Sequence, residues 1–158
     1  MKAHVDHIAF RVENLDAAVK FYTEVIGCKV ADWFFVDFED GTKARCAALD
    51  AGPIQIFVSE GIGEGGVVKE WVKRHGNALH HVAYAVDDLP AAVEHARRHG
   101  VEFLSDKQIE NDDLIQIFTR PDPATGVVHE LIQRKHPGAK GFATENVKKL
   151  MESTRDVR

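Results

Sequence analysis

A chain of 158 residues with 44% hydrophobic content is long enough to bury one substantial core without disulfides or a structural metal. The net charge is −5 and the Lys and Arg residues are interleaved with Asp and Glu, which excludes the basic face of a nucleic-acid binder; no stretch approaches the roughly 18 apolar residues of a membrane span. Cys28 and Cys46 supply neither a disulfide framework nor a thiolate zinc pattern, and with no apolar signal core at the amino terminus a cytoplasmic protein is expected.

Residues 4–12 alternate as a strand, with Val5, His7, Ala9 and Arg11 on one face and Asp6, Ile8, Phe10 and Val12 on the other. Asn14 is a helix cap, Leu15, Ala18, Val19, Tyr22, Val25 and Ile26 follow at helical spacing, and Gly27 closes the helix. Strands are expected over 29–38, 43–49 and 54–58, separated by Glu39-Asp40-Gly41 and by the turn at 50–53. A glycine-rich connector over 60–66 and a short helix over 67–74, ended by His75-Gly76, lead to a second set of elements. These are a strand at 79–86, a helix at 89–99 capped by Asp88, and strands at 101–104, 114–119 and 127–133. Thr144 is expected to cap a last amphipathic helix carrying Val147, Leu150 and Met151, placed as a lid.

The two sets are copies. Residues 5–19 and 79–93 share seven of fifteen identities, and each runs from a histidine strand through an Asn or Asp cap into an Ala-rich helix. The fold expected is therefore α+β: two βαβββ modules, 4–60 and 79–134, joined by a linker at 61–78 and followed by a helix at 144–154. A pseudo-twofold arrangement would put the modules in one concave mixed sheet, as a single domain over 1–158. His7 then faces His81. Gln55 lies 48 residues after His7 and Glu130 lies 49 after His81, so each module closes with a second matched side chain. Imidazole, carboxylate and amide oxygen on adjacent strands suit a six-coordinate divalent ion such as Fe, Mn, Co or Ni, with Zn admissible at five-coordination. One strand histidine alone would read as a satisfied core residue; the repeat-related pair, with a carboxylate in an apolar strand, points to metal. Arg45 and Arg120 could hold a substrate carboxylate or phosphate. Strict alternation sends His80 and His129 to the faces opposite His81 and Glu130; only a local irregularity of its strand would let His80 contact the substrate or back a ligand.

This pairing of modules resembles the vicinal-oxygen-chelate superfamily over residues 4–134, and the resemblance implies His7, His81 and Glu130 as ligands, with Gln55 coordinating or standing off. Residues 73–88 (KRHGNALHHVAYAVDD), 114–121 (LIQIFTRP), 129–134 (HELIQR) and 141–153 (GFATENVKKLMES) are similar to the catalytic half of the 4-hydroxyphenylpyruvate dioxygenases. That resemblance implies Fe(II), a 2-oxo acid bound through two oxygens with O2 in the last position, substrate contacts from Gln116 and Phe118, and gating by the helix around Asn146. The pattern departs at His80, where a glutamine is usual, and at Val147, where an aromatic is usual; the second module is shortened near 106–112. The chain also resembles the methylmalonyl-CoA epimerases, compact two-module enzymes with a His, Gln, His and Glu metal set, which implies Gln55 as a ligand and Glu39 as a base beside Glu130. An epimerase or isomerase working through an enolate is thus the alternative to a dioxygenase, and a noncatalytic ligand-binding protein the third reading. In each enzyme reading the partner is a small molecule with two neighbouring oxygens, and a homodimer or module swap is compatible with the connector.

Overall fold

The computed structural model describes residues 1–155. Its strands are β1 (Ala3–Val12), β2 (Lys29–Asp37), β3 (Lys43–Ala51), β4 (Ile54–Ile62), β5 (Ala78–Val86), β6 (Ile109–Glu110), β7 (Leu114–Phe118) and β8 (Val128–Arg134). The helices are α1 (Leu15–Lys20), continued as π-helix over Phe21–Ile26, then α2 (Val67–His75), α3 (Leu89–Arg98) and α4 (Thr144–Ser153). No helix among the described residues is long and apolar enough to cross a membrane.

The eight strands form one sheet in the order β2-β3-β4-β1-β5-β8-β7-β6. Within each copy the histidine strand pairs parallel with the last strand, β1 with β4 and β5 with β8, and the two copies meet where β1 and β5 run antiparallel. The α+β fold of two related modules is as expected. Hydrophobic alternation explains the layers. On one face α1 covers Ile8, Phe10, Leu49, Ile56 and Val58, and α3 covers Leu131 and Ile117. On the other, concave face Ala9, Ala44, Cys46 and Phe57 pack with Val67 and Val68 of α2 and with Val147 and Met151 of α4. The Asn14 and Asp88 side chains cap α1 and α3 by accepting from Ala17 N and Ala91 N, each at 3.0 Å.

Four local features differ from expectation. β4 continues into the connector, because Gly61 and Ile62 pair with Ala44 and Lys43. A Cβ on Gly61 would meet the Lys69 backbone nitrogen at 2.7 Å, so the glycine serves close approach of α2 as well as chain flexibility. The strand expected at 101–104 is only a bridge between Phe103 and Thr119. The polar turn after it, where Lys107 N bonds Ser105 Oγ and Arg97 reaches Asp106, diverts the chain until Ile109–Glu110 pairs with β7. Ala143 rather than Thr144 occupies the cap of α4, and no side chain caps that helix. The β1–β5 pairing is the fourth: it carries two register shifts, with Asp6 unmatched between Val5 and His7 and His80 unmatched between Leu79 and His81.

Candidate metal centre

Register brings three side chains to one point on the concave face. His7 of β1 lies opposite Ala83 of β5, and Ala83 lies opposite Glu130 of β8, so all three point to the same side of the sheet; His81, two residues before Ala83, shares that side. His7 Nε2 is 3.2 Å and His81 Nε2 3.4 Å from Glu130 Oε2, and one nitrogen or oxygen of each residue lies within 4.8 Å of the others. His7, His81 and Glu130 are 2%, 4% and 1% exposed, so a charge here has no water to share it. Burial favours the neutral acid, yet the His7 charge and hydrogen bonds from both imidazoles hold the Glu130 carboxyl down to about 2. His7 shows the converse. Burial would lower it, but the neighbouring Glu130 and Asp6 carboxylates push it up to about 9.

The donor set fits a divalent cation on an observation of its own. Glu130 Oε1 is buried with no hydrogen-bond partner, an arrangement that costs stability unless a cation or proton donor supplies the missing contact. The His7 ring is also preset. Its Nδ1 is 2.7 Å from Asp6 Oδ2, and Asp6 is clamped by Arg134 through Nε and Nη2, both at 2.9 Å. Burial opposes the Asp6 charge, but Arg134 and His7 outweigh it and hold the carboxyl well below the usual range. Asp6 and Arg134 were not legible as site residues, because alternation assigns Asp6 to the far face and only the bulge turns it back beside His7.

Above the trio is a space of about 20 Å3, room for an ion or a water. Gln116 and Asn146 close it with a hydrogen bond of 3.0 Å between their amides, and Phe142 packs edge-on to His7 with centroids 4.8 Å apart. Phe118 stands edge-on to His81 at 5.7 Å. The remaining expected residues are placed elsewhere. Gln55 is in register with His7, but its Nε2 donates to Asp50 Oδ1 and its Oε1 accepts from Gly141 N, each at 3.0 Å. Glu39 is exposed in the turn between β2 and β3 and does not line the space. Arg45 alternates away from buried Ala44 and Cys46 to the α1 side, where it pairs with Asp16 and stacks on Trp33 at 5.3 Å. Arg120 pairs with Glu102 at 3.6 Å at the surface. His129 faces away from the trio, against Tyr84. His80 does not: the bulge buries it beside His81, with the two Nδ1 atoms 2.9 Å apart.

Residues 6–119 match the model of the Glyoxalase/Bleomycin resistance protein/Dioxygenase superfamily. The chain is 27% identical to 4-hydroxyphenylpyruvate dioxygenase of Pseudomonas aeruginosa over 95% of its own length and 51% of that protein's. It is 32% identical to 2-epi-5-epi-valiolone epimerase of an Actinomyces species, over 68% of this chain and 66% of that one. A mutant of 4-hydroxymandelate synthase from Streptomyces coelicolor superposes with a TM-score of 0.83 at 23% identity, over 98% of this chain and 54% of that one, a likeness of fold. The chain thus spans about half the length of the dioxygenase and of the synthase.

Proposed function

The chain belongs to the Glyoxalase/Bleomycin resistance protein/Dioxygenase superfamily, whose relatives here are enzymes, and from that premise we propose that it is an iron(II)-dependent oxygenase of a small 2-oxo acid. His7, His81 and Glu130 would hold the metal. The observation that carries this reading is the engagement of Gln55: with its amide occupied by Asp50 and Gly141, the protein offers two imidazoles and one carboxylate rather than four ligands. Two histidines and a carboxylate with open positions are the ligand set of non-haem iron oxygenases. When bound, iron in that set supplies a Lewis acid with three further positions, enough for both oxygens of a 2-oxo acid and for O2 in an oxidative decarboxylation.

The side chains prepare the site for such a substrate. Asp6 accepts the Nδ1 proton of His7 and leaves the Nε2 lone pair directed at the centre; Arg134 keeps Asp6 ionised. Phe142 and Phe118 flank the two imidazoles with apolar surface that excludes water. Gln116 and Asn146, now bonded to each other, can exchange that bond for hydrogen bonds to a substrate oxygen. A space of about 20 Å3 is too small for a 2-oxo acid, so α4 and the segment leading into it would shift to admit one.

The test is anaerobic purification and iron(II) loading, followed by an oxygen electrode and solvent deuterium exchange with a panel of 2-oxo acids and acyl thioesters. Oxygen uptake matched by CO2 release from a 2-oxo acid is the expected outcome. Deuterium exchange without oxygen uptake would move the function to an epimerase or isomerase and return Glu39 and Gln55 to consideration. Failure of Fe, Mn, Co, Ni and Zn alike to bind removes both enzyme readings and leaves a ligand-binding protein.

A further inference from the structure

We propose that His80 is a positioning residue for the metal centre: its Nδ1 accepts the Nδ1 proton of His81 and thereby commits the Nε2 lone pair of His81 to the ion. The proposal rests on the reading that His7, His81 and Glu130 bind metal. Two imidazole Nδ1 atoms 2.9 Å apart require one N–H and one lone pair, since two protons or two lone pairs would repel. His81 presents Nε2 to Glu130 at 3.4 Å, the side on which an ion would sit. A ligand needs its lone pair there, so the proton of neutral His81 is on Nδ1 and the Nδ1 of His80 is the acceptor. The proton of His80 is then on Nε2.

Two further features support a role rather than an accident of packing. His80 is 1% exposed and its ring stands edge-on to buried Trp71, with centroids 5.3 Å apart and planes at 70°, so its orientation is fixed by the core and not by solvent. The arrangement also repeats. In each module the residue before the histidine is the extra residue of a bulge, and its side chain meets that histidine's Nδ1: Asp6 with His7, His80 with His81. The copies differ in charge. His7 is backed by a carboxylate that Arg134 neutralises, whereas the acceptor behind His81 is a neutral imidazole, which adds no buried negative charge. The two imidazoles of the centre are therefore unequal donors, with His7 the more basic.

Competition titration with Zn(II) and Co(II) tests the idea without turnover. His80→Leu, which leaves the His81 Nδ1 proton without an acceptor, should weaken Zn(II) binding by about 10- to 100-fold, the usual effect of losing such a contact. His80→Gln, whose amide oxygen can accept, should recover most of that loss. Should the leucine variant not fold, the wild-type chain decides: long-range proton–nitrogen correlation spectra of the Zn(II)-loaded protein, with His80 assigned from the glutamine variant, should show His81 protonated at Nδ1 and His80 bare there. A protonated Nδ1 on His80, or unchanged Zn(II) affinity in the leucine variant, overturns the proposal while leaving the metal centre standing. A wild-type chain that binds neither ion overturns both.

Discussion

At the scale of single residues, Glu130 is the group on which the proposed centre depends, being the one anion among the described residues that contacts both imidazoles. Glu130→Gln keeps the volume and removes the charge, and should reduce metal affinity by at least about 100-fold, measured by the same competition titration. Titration of the metal-free protein provides a second check. His7 keeps its proton to about 9 against an ordinary 6.5, so the folded chain binds more protons than the unfolded one between those values and stability falls as pH rises through them. Burial holds His81 below its ordinary 6.5, so the unfolded chain gains a proton first and stability also falls as pH drops below that value; Glu130, held to about 2 from 4.5, adds to the acid loss. The metal-free melting temperature should therefore peak near pH 6.5 in a calorimetric series. Because His7 must lose its proton to coordinate, metal binding near neutral pH should release about one proton. Calorimetric titration in buffers of different ionisation enthalpy reads that number, and zero would mean that His7 is either already neutral at that pH or not a ligand.

At the scale of elements, α4 is the part that must yield. Its approach is pinned at Gly141, whose N–H is held by Gln55 and whose carbonyl accepts from Arg134 Nη1 at 3.1 Å, and its first turn is pinned by Asn146 on Gln116. Gln55→Ala removes the part-buried bond to Gly141 along with the one to Asp50, and Asn146→Ala removes the buried bond to Gln116; at about 1–3 kcal/mol for each bond that holds α4 or its approach, either change should raise amide exchange across α4 by roughly 5- to 100-fold while exchange in β1 and β5 stays unchanged. Equal exchange in α4 would mean that these bonds do not hold the lid. The sequence made α4 itself visible through Val147, Leu150 and Met151, as it made visible the helices with side-chain caps and the strands with clean alternation. It did not reveal that Asp6 sits beside His7, and it gave no sign of the irregularity that brings His80 beside His81. A bulge inserts one residue without leaving a mark on the hydrophobic pattern, and alternation counted across it assigns the side chain to the wrong face. Arg45, expected at the substrate, sits between buried Ala44 and Cys46 and so points to the α1 side, where it meets Asp16 instead. Gln55 escaped for another reason: its register with His7 was readable from spacing, but a competing carboxylate at Asp50, its partner on β3, is a tertiary fact.

For the molecule as a whole, the centre lies across the seam between the modules, with His7 on β1 and both His81 and Glu130 beyond the β1–β5 pairing. A bound ion would thus bridge the two copies, and because the unfolded chain scatters the three ligands, binding energy becomes folding energy. At a free metal concentration 100 times the dissociation constant the gain is about 2.7 kcal/mol, and a chain of this size converts that into a rise in melting temperature of about 5–11 °C. The variants separate the roles. Glu130→Gln should cut the rise to about 2 °C or less, since it removes the charge that draws the ion across the seam. Gln55→Ala should lower the melting temperature of the metal-free chain yet keep the rise in full, because its amide serves Asp50 and Gly141 and not the ion. A Gln55→Ala protein whose rise shrinks by half or more would make Gln55 a fourth ligand, leave two open positions instead of three, and shift the chemistry from oxygen activation to proton transfer.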